Sequence, residues 1–241
     1  MINAFRKIRK KLADNNKPIK YFRYAIGEVI LVVIGILIAL SINNWNEERK
    51  TNYKSQVYIN KIVNDLITDT ININTLIKNS KVYKSNTLKY FSFFNQGNMP
   101  IDKLIDSSRN VSAGYLRYIP VDHTFLDMQS SGNSNLLNDN QRDALIELSS
   151  IQEQLQIIIE KVISNGLNEG NESNKYLGYP DDFFDKIGIP ESEDNKLQWL
   201  IHRHLRFNWN LQLYDYIERR GNRIKEQSKK TILILNDESK P

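Results

Sequence analysis

Two histidines separated by one residue can offer two nitrogens to one metal ion, and Ile201-His202-Arg203-His204-Leu205 carries that spacing. On a strand both rings would share a face. On a helix, residues two apart diverge by about 200° and cannot meet at one ion. The flanking residues follow a helical period, so two ordinary surface or boundary histidines are expected and no metal centre. His123, in Val-Asp-His-Thr-Phe beside an expected helix start, has no patterned serine or aspartate to complete a set of nucleophile, base and orienting group. The chain contains no cysteine, which removes disulfides, thiolate nucleophiles and cysteine metal sites. Asp181, Asp182 and Asp185 lack the alternating oxygens and central glycine of a calcium loop. They read as a solvated helix start, where carboxylates favour the dipole. No glycine-rich phosphate cradle occurs. The residues therefore predict no catalytic group, no metal and no cofactor, and the chain reads as a non-enzyme.

Aromatic residues form three groups: Tyr90, Phe91, Phe93 and Phe94; Tyr176, Tyr179, Phe183 and Phe184; Trp199, Phe207, Trp209, Tyr214 and Tyr216. Such rings either line a pocket or pack core and helix ends, and packing is the preferred reading. A basic run, Arg219, Arg220, Arg223, Lys225, Lys229 and Lys230, is interrupted by Glu218 and Glu226 and reads as a solvated face.

The elements that would position these groups are helical. Ile59, Ile62, Leu66, Ile73 and Leu76 recur at three-and-four spacing, and no Pro or Gly interrupts Gly35 to Gly97. One helix is predicted to run almost unbroken to about Phe94. Asn138 with Gln141 resembles a capping box. It opens a helix with Leu148, Ile151, Leu155, Ile158 and Val162 on one stripe, expected to end at Asn165-Gly166. A third helix spans about Asp194 to Leu235, with Leu197, Ile201, Leu211 and Ile217 as its face, and is expected to kink or divide at Gly221. Shorter helices are expected at Ile101 to Ser108, Asp122 to Ser130 and Asp181 to Lys186, the last within a Gly- and Asn-rich stretch. Gly114 to Val121 is the most β-like piece. The predicted fold class is mostly α: one N-terminal transmembrane helix followed by an extramembrane helical bundle-like domain.

That transmembrane helix is Ala25 to Ile42, eighteen residues with Glu28 as their one ionisable side chain. At the helical rise they extend roughly 27 Å, close to a bilayer's hydrocarbon thickness. Tyr21 and Tyr24 at one end and Trp45 at the other suit the headgroup level. Glu28 is shallow enough to reach the interface. The net charge of +5 is confined to one end. Residues 1 to 24 carry eight bases against Asp14, whereas from Asn43 onward acids exceed bases by one. A nucleic-acid reader would carry its basic face on the folded domain, so nucleic acid is not an expected partner. The bias predicts a cytoplasmic N-terminus and an exported body, periplasmic if the cell is Gram-negative. The expected organisation is a basic cytoplasmic segment at 1–24, the span at 25–42 and a helical periplasmic domain at 43–241.

A cleavable signal peptide is the rival, because Ala39-Leu40-Ser41 supplies small residues. The long basic lead and long apolar run favour a retained anchor. Ile2, Phe5, Ile8 and Leu12 among Arg6, Lys7, Arg9, Lys10 and Lys11 describe a short amphipathic helix on an anionic leaflet, with Arg23 adding to the same charge. A purely topogenic role for these charges is an equal alternative. Gly35 and Ala39 form a small-xxx-small pair, with Gly27 two turns earlier, the pattern that lets two membrane helices approach.

The stretch from Tyr24 to Lys50, with the basic Phe5 to Leu12 lead, resembles the N-terminal signature of a bacterial membrane family catalogued as domain of unknown function family 6090. Phe125 to Leu145 is similar to a mid-chain pattern of that family through Leu126, Ser131, Gly132, Leu136 and Leu137. The resemblance implies a single-pass membrane protein and supplies no activity, cofactor or catalytic residue. Three functions follow as expectations: an interaction or assembly protein, with the bilayer, an unknown protein and a second copy of the chain as partners; a periplasmic ligand sensor acting through a partner; and, resting only on His202 and His204, an enzyme.

Overall fold

A computed structural model describes residues 6–7, 18–177, 183–188 and 190–237. The amphipathic lead around Ile2 to Leu12, apart from Arg6 and Lys7, lies outside the described residues, as do Tyr179, Asp181, Asp182 and the side chains of Tyr21 and Asp185. Among the described residues the secondary structure is helical, with no strand. Helix α1 spans Pro18–Phe94, α2 Ile101–Arg109, α3 His123–Ser130, α4 Asp139–Leu177, α5 Phe183–Ile187 and α6 Glu193–Asn236, with a 3-10 turn at Asn133–Leu136. The chain divides into two compact units, Met1–Gln56 and Val57–Pro241.

In the first unit, the α1 residues from Ile26 to Ile42 expose their large aliphatic side chains, from 44% at Ile26 to 70% at Leu31. An eighteen-residue window here has a mean hydropathy of 2.8 and no buried residue, so this helix is long and apolar enough to cross a membrane.

The second unit is a bundle of three long helices. The α1 residues Ile59, Ile62, Leu66, Asp69, Ile73, Leu76, Ser80, Thr87 and Tyr90 are buried, a three-and-four alternation that keeps one seam inward. On α6 the buried positions Phe207, Asn210, Tyr214, Ile217, Gly221, Ile224, Ser228, Thr231 and Leu235 repeat the same alternation. The α4 seam follows through Leu148, Ile151, Leu155, Ile159 and Val162. Ile77 lies against Gly221 and Tyr90 against Phe207, so α6 runs antiparallel to α1. Gln141 donates to the Leu235 carbonyl at 3.2 Å and Gly170 lies against Arg206, which makes α4 and α6 antiparallel as well. The segment from 95 to 138 must therefore cross over to let α4 run alongside α1, and α2 and α3 form within it. A smaller cluster of Ile105, Leu177, Trp199 and Leu200 closes one end.

Helix ends follow local chemistry. Gly97 (φ 72°) and Asn98 (φ 53°) adopt left-handed backbone just after α1, as helix exits commonly do. The expected capping box at α4 is present: the Gln141 amide donates to Asn138 Oδ1 at 2.9 Å and the Asn138 amide to Gln141 Oε1 at 3.1 Å.

Three expectations are corrected. Helix α4 does not stop at Asn165-Gly166 but continues to Leu177. Gly166 and Gly170 are buried where other groups press against the helix, and that packing offsets the cost of glycine in a helix, about 1 kcal/mol each. Helix α6 passes Gly221 without dividing. A Cβ there would stand 3.0 Å from Ile77 Cδ1 and 3.2 Å from Ile73 Cγ2, so glycine provides close helix approach. The inward face of α6 is also not the one read from its aliphatics: Leu197 and Ile201 are exposed and Leu211 is only half-buried, leaving Ile217 on the buried seam. Residues 111–122, including the β-like Gly114 to Val121, form neither helix nor strand.

Candidate functional site

The two histidines of Ile201 to Leu205 face different surroundings. His202 Nδ1 lies 2.8 Å from Glu169 Oε2, and its ring stacks on Tyr176 at 9°. His204 sits among Phe91, Phe94 and Tyr90, with ring centroids 4.7, 4.6 and 6.0 Å away. Burial holds the His204 imidazole below its usual range. Helical divergence thus separates the pair, and no group of three metal-ligating side chains occurs among the described residues. His123 is exposed, with Nε2 3.1 Å from Asp65 Oδ1. Tyr90 of the first aromatic group packs against Phe207 of the third, 1% and 2% exposed with rings 4.9 Å apart, whereas Phe94 is exposed and Phe91 and Phe93 are half-buried. In the basic run, Glu218 does not interrupt a free face but pairs across to Lys81 at 3.2 Å.

In the first unit, nothing lies within 4 Å of the Cβ positions of Gly27 and Gly35, and Ala39 on the same helix is exposed. Arg6, Lys7 and Arg23 are exposed too. Tyr24 and Trp45 are 62% and 64% exposed, and the Arg49 guanidinium lies 5.7 Å from the Trp45 ring centre. Arg9, Lys10 and Lys11 lie outside the described residues.

Two constellations escape a reading by motif. The first centres on Asp69, which is 0% exposed on the α1 seam. Its carboxylate accepts from Tyr118 Oη at 2.8 Å, Gln152 Nε2 at 2.9 Å and the Val121 amide at 3.2 Å. Burial raises its pKa despite those three donors. The same burial, with the Asp69 carboxylate beside it, pushes the Tyr118 phenol far up. One turn earlier, Asp65 accepts from the Thr124 amide at 3.1 Å. The two carboxylates therefore clamp the segment before α3, and the start of α3 itself, to α1. The adjoining cavity holds only about 10 Å³, room for about one water, so this is a clasp and not a binding chamber. Its signal in the sequence is an acid in register with the apolar stripe, Leu66-x-x-Asp69-x-x-x-Ile73.

The second constellation is basic. Arg203 stands over Trp199 and Phe207, 5.6 and 5.1 Å from the ring centres, and Nη2 reaches the Ser108 carbonyl only at 3.5 Å. Arg206, one turn on, stands 5.2 Å from the Tyr115 ring centre. Among the described residues neither guanidinium has a carboxylate within ion-pair distance. Burial and the charge of Arg206 lower the Arg203 pKa. No sequence pattern marks this pair, because helical neighbours at three-residue spacing gain meaning only from what faces them.

A family model described as "Family of unknown function (DUF6090)" matches residues 28–174, more than half of the chain. No curated protein and no solved structure matches it.

Proposed function

The chain belongs to the family of unknown function DUF6090, and on that premise we propose a single-pass inner-membrane protein whose helical domain works by binding partners, without catalysis. One observation carries the membrane part: the apolar run is bare of protein cover. Withdrawing each large aliphatic side chain from water contributes about 1.5–3 kcal/mol, and a bilayer supplies that cover for the whole run at once. The lysine and arginine bias before the run, against Glu47 and Glu48 after it, orients the N-terminus to the cytoplasm and the body to the periplasm.

The interaction part is supported by apolar residues left uncovered at helical spacing. Leu197, Ile201 and Leu205 on α6 are 47%, 41% and 40% exposed, and Ile67 and Ile71 on α1 are 47% and 60% exposed. The open Gly27, Gly35 and Ala39 face would let two membrane helices pair.

The test is alkaline carbonate extraction of cell membranes combined with protease treatment of spheroplasts. The full-length chain is expected to stay with the membrane, its body cleaved and its N-terminal tag protected. Recovery of full-length chain in the soluble fraction, or a mature N-terminus at Ile42, sinks the anchor. A ligand sensor acting through a partner is the second reading, favoured by the unneutralised arginines of α6.

A further inference from the structure

We propose that Arg203 and Arg206 of α6, with the Tyr115 hydroxyl, form a binding site for the oxyanion of a small solute, a carboxylate or phosphate group. The proposal deepens the sensor reading but rests on the helical domain alone, so it does not depend on the anchor.

Three observations converge. Four buried polar side-chain atoms lack a hydrogen-bond partner among the described residues: Tyr115 Oη, Arg203 Nε, Asn210 Oδ1 and Ser228 Oγ. The first two belong to this cluster and can both donate; the other two lie further along α6. A buried donor without an acceptor costs about 1–3 kcal/mol, and a ligand that only accepts removes that cost. An oxyanion is such a ligand.

The second observation is the charge balance. The like charge of Arg206 acts on Arg203, and among the described residues neither guanidinium has a carboxylate within ion-pair distance. Partly buried guanidiniums of like sign repel each other, and an anion between them reverses the sign of the interaction.

The third is pre-organisation. The Arg203 guanidinium is held over Trp199 and Phe207. On α4, a Cβ at Gly166 would stand 3.1 Å from Tyr115 Oη, and one at Gly170 would stand 3.1 Å from Arg206 Nη1. The two glycines, one turn apart, thus leave slots that seat the hydroxyl and the second guanidinium. Donors fixed before binding lose little entropy when the ligand arrives, and the planar fork of arginine matches carboxylate and phosphate geometry.

The test is isothermal titration calorimetry of the full-length protein in detergent micelles, with inorganic phosphate and separately with succinate, at ionic strength matched by chloride. Saturable binding of one or both is expected, and which of the two binds identifies the oxyanion. Arg206→Gln is expected to weaken it about tenfold or more, the loss of one charge-assisted pair. Tyr115→Phe, which keeps the ring, should weaken it several-fold. If Arg206→Gln does not fold, Arg206→Lys keeps the charge without the fork and should still bind more weakly than the parent. No heat from either anion overturns the site, as does binding that all the folded variants retain at parental strength.

Discussion

Asp69 is the side chain on which the second unit's inward polarity turns. Three donors, from Tyr118, Gln152 and Val121, end on one carboxylate. Asp69→Ala leaves all three buried without an acceptor and is expected to cost about 2–4 kcal/mol in urea unfolding. Asp69→Asn keeps an acceptor oxygen and should cost less than half as much. The pH dependence separates them further. The folded-state pKa of Asp69 lies above its ordinary 3.8, so its proton is held more tightly folded than unfolded. Its contribution is fully present below pH 3.8 and is lost as pH rises through the folded value. Relative to Asp69→Asn, the parent should lose stability as pH climbs through that window; parallel curves would refute the assignment. His204 has the opposite sign. Its folded pKa lies below the ordinary 6.5, so its contribution is present above 6.5 and is lost as pH falls through the folded value. His204→Phe should flatten the acid limb of the stability profile, measured by chemical unfolding across that range.

The long helices are held in register by small and polar residues on their seams. Gly221 lets α1 approach α6 to the point where a Cβ would meet both Ile73 and Ile77. Gly221→Val overpacks this contact and is expected to cost about 1–3 kcal/mol in thermal or urea unfolding, with β-branching adding to the loss. A neutral result would mean that the helices are not closely packed there. At the start of α4, Asn138→Ala removes half of a reciprocal cap and should cost about 1 kcal/mol. Ion pairs between α1 and α6, Lys84 with Asp215 at 2.6 Å and Lys81 with Glu218 at 3.2 Å, join partly exposed side chains, from 32% to 58%. Single neutralisations there should change stability by about 1 kcal/mol or less. The clasp and the seams, more than surface charge, therefore set the stability of the bundle.

For the whole molecule, the membrane proposal yields a direct expectation. A lysine near the centre of a span costs about 2.5–3.5 kcal/mol. Ile34→Lys combined with Leu37→Lys should therefore shift the chain out of the carbonate-resistant fraction, as followed by immunoblot. Gly35→Leu tests the pairing face: crosslinked dimers in membranes should fall if the helices meet there, and unchanged dimer yield would remove that contact.

Local patterns alone fixed the helical class, the run from Gly35 to Phe94, the capping box at Asn138 and the apolar segment, because period, capping and hydrophobicity are properties of neighbours along the chain. Family membership was legible for the same reason, in the stretch from Tyr24 to Lys50. The inward face of α6 was not, since Asn210, Gly221, Ser228 and Thr231 occupy a seam that its exposed leucines do not mark. The end of α4 was misplaced at Gly166 because the partners that hold that glycine in a helix come from elsewhere in the chain. Neither Asp69 with Tyr118 and Gln152 nor Arg203 with Arg206 and Tyr115 carries a spacing that a motif can hold. Only the packing of α1, α4 and α6 with the irregular segment 111–122 brought those donors, acceptors and charges together, for the cost of a buried polar group depends on what faces it in space.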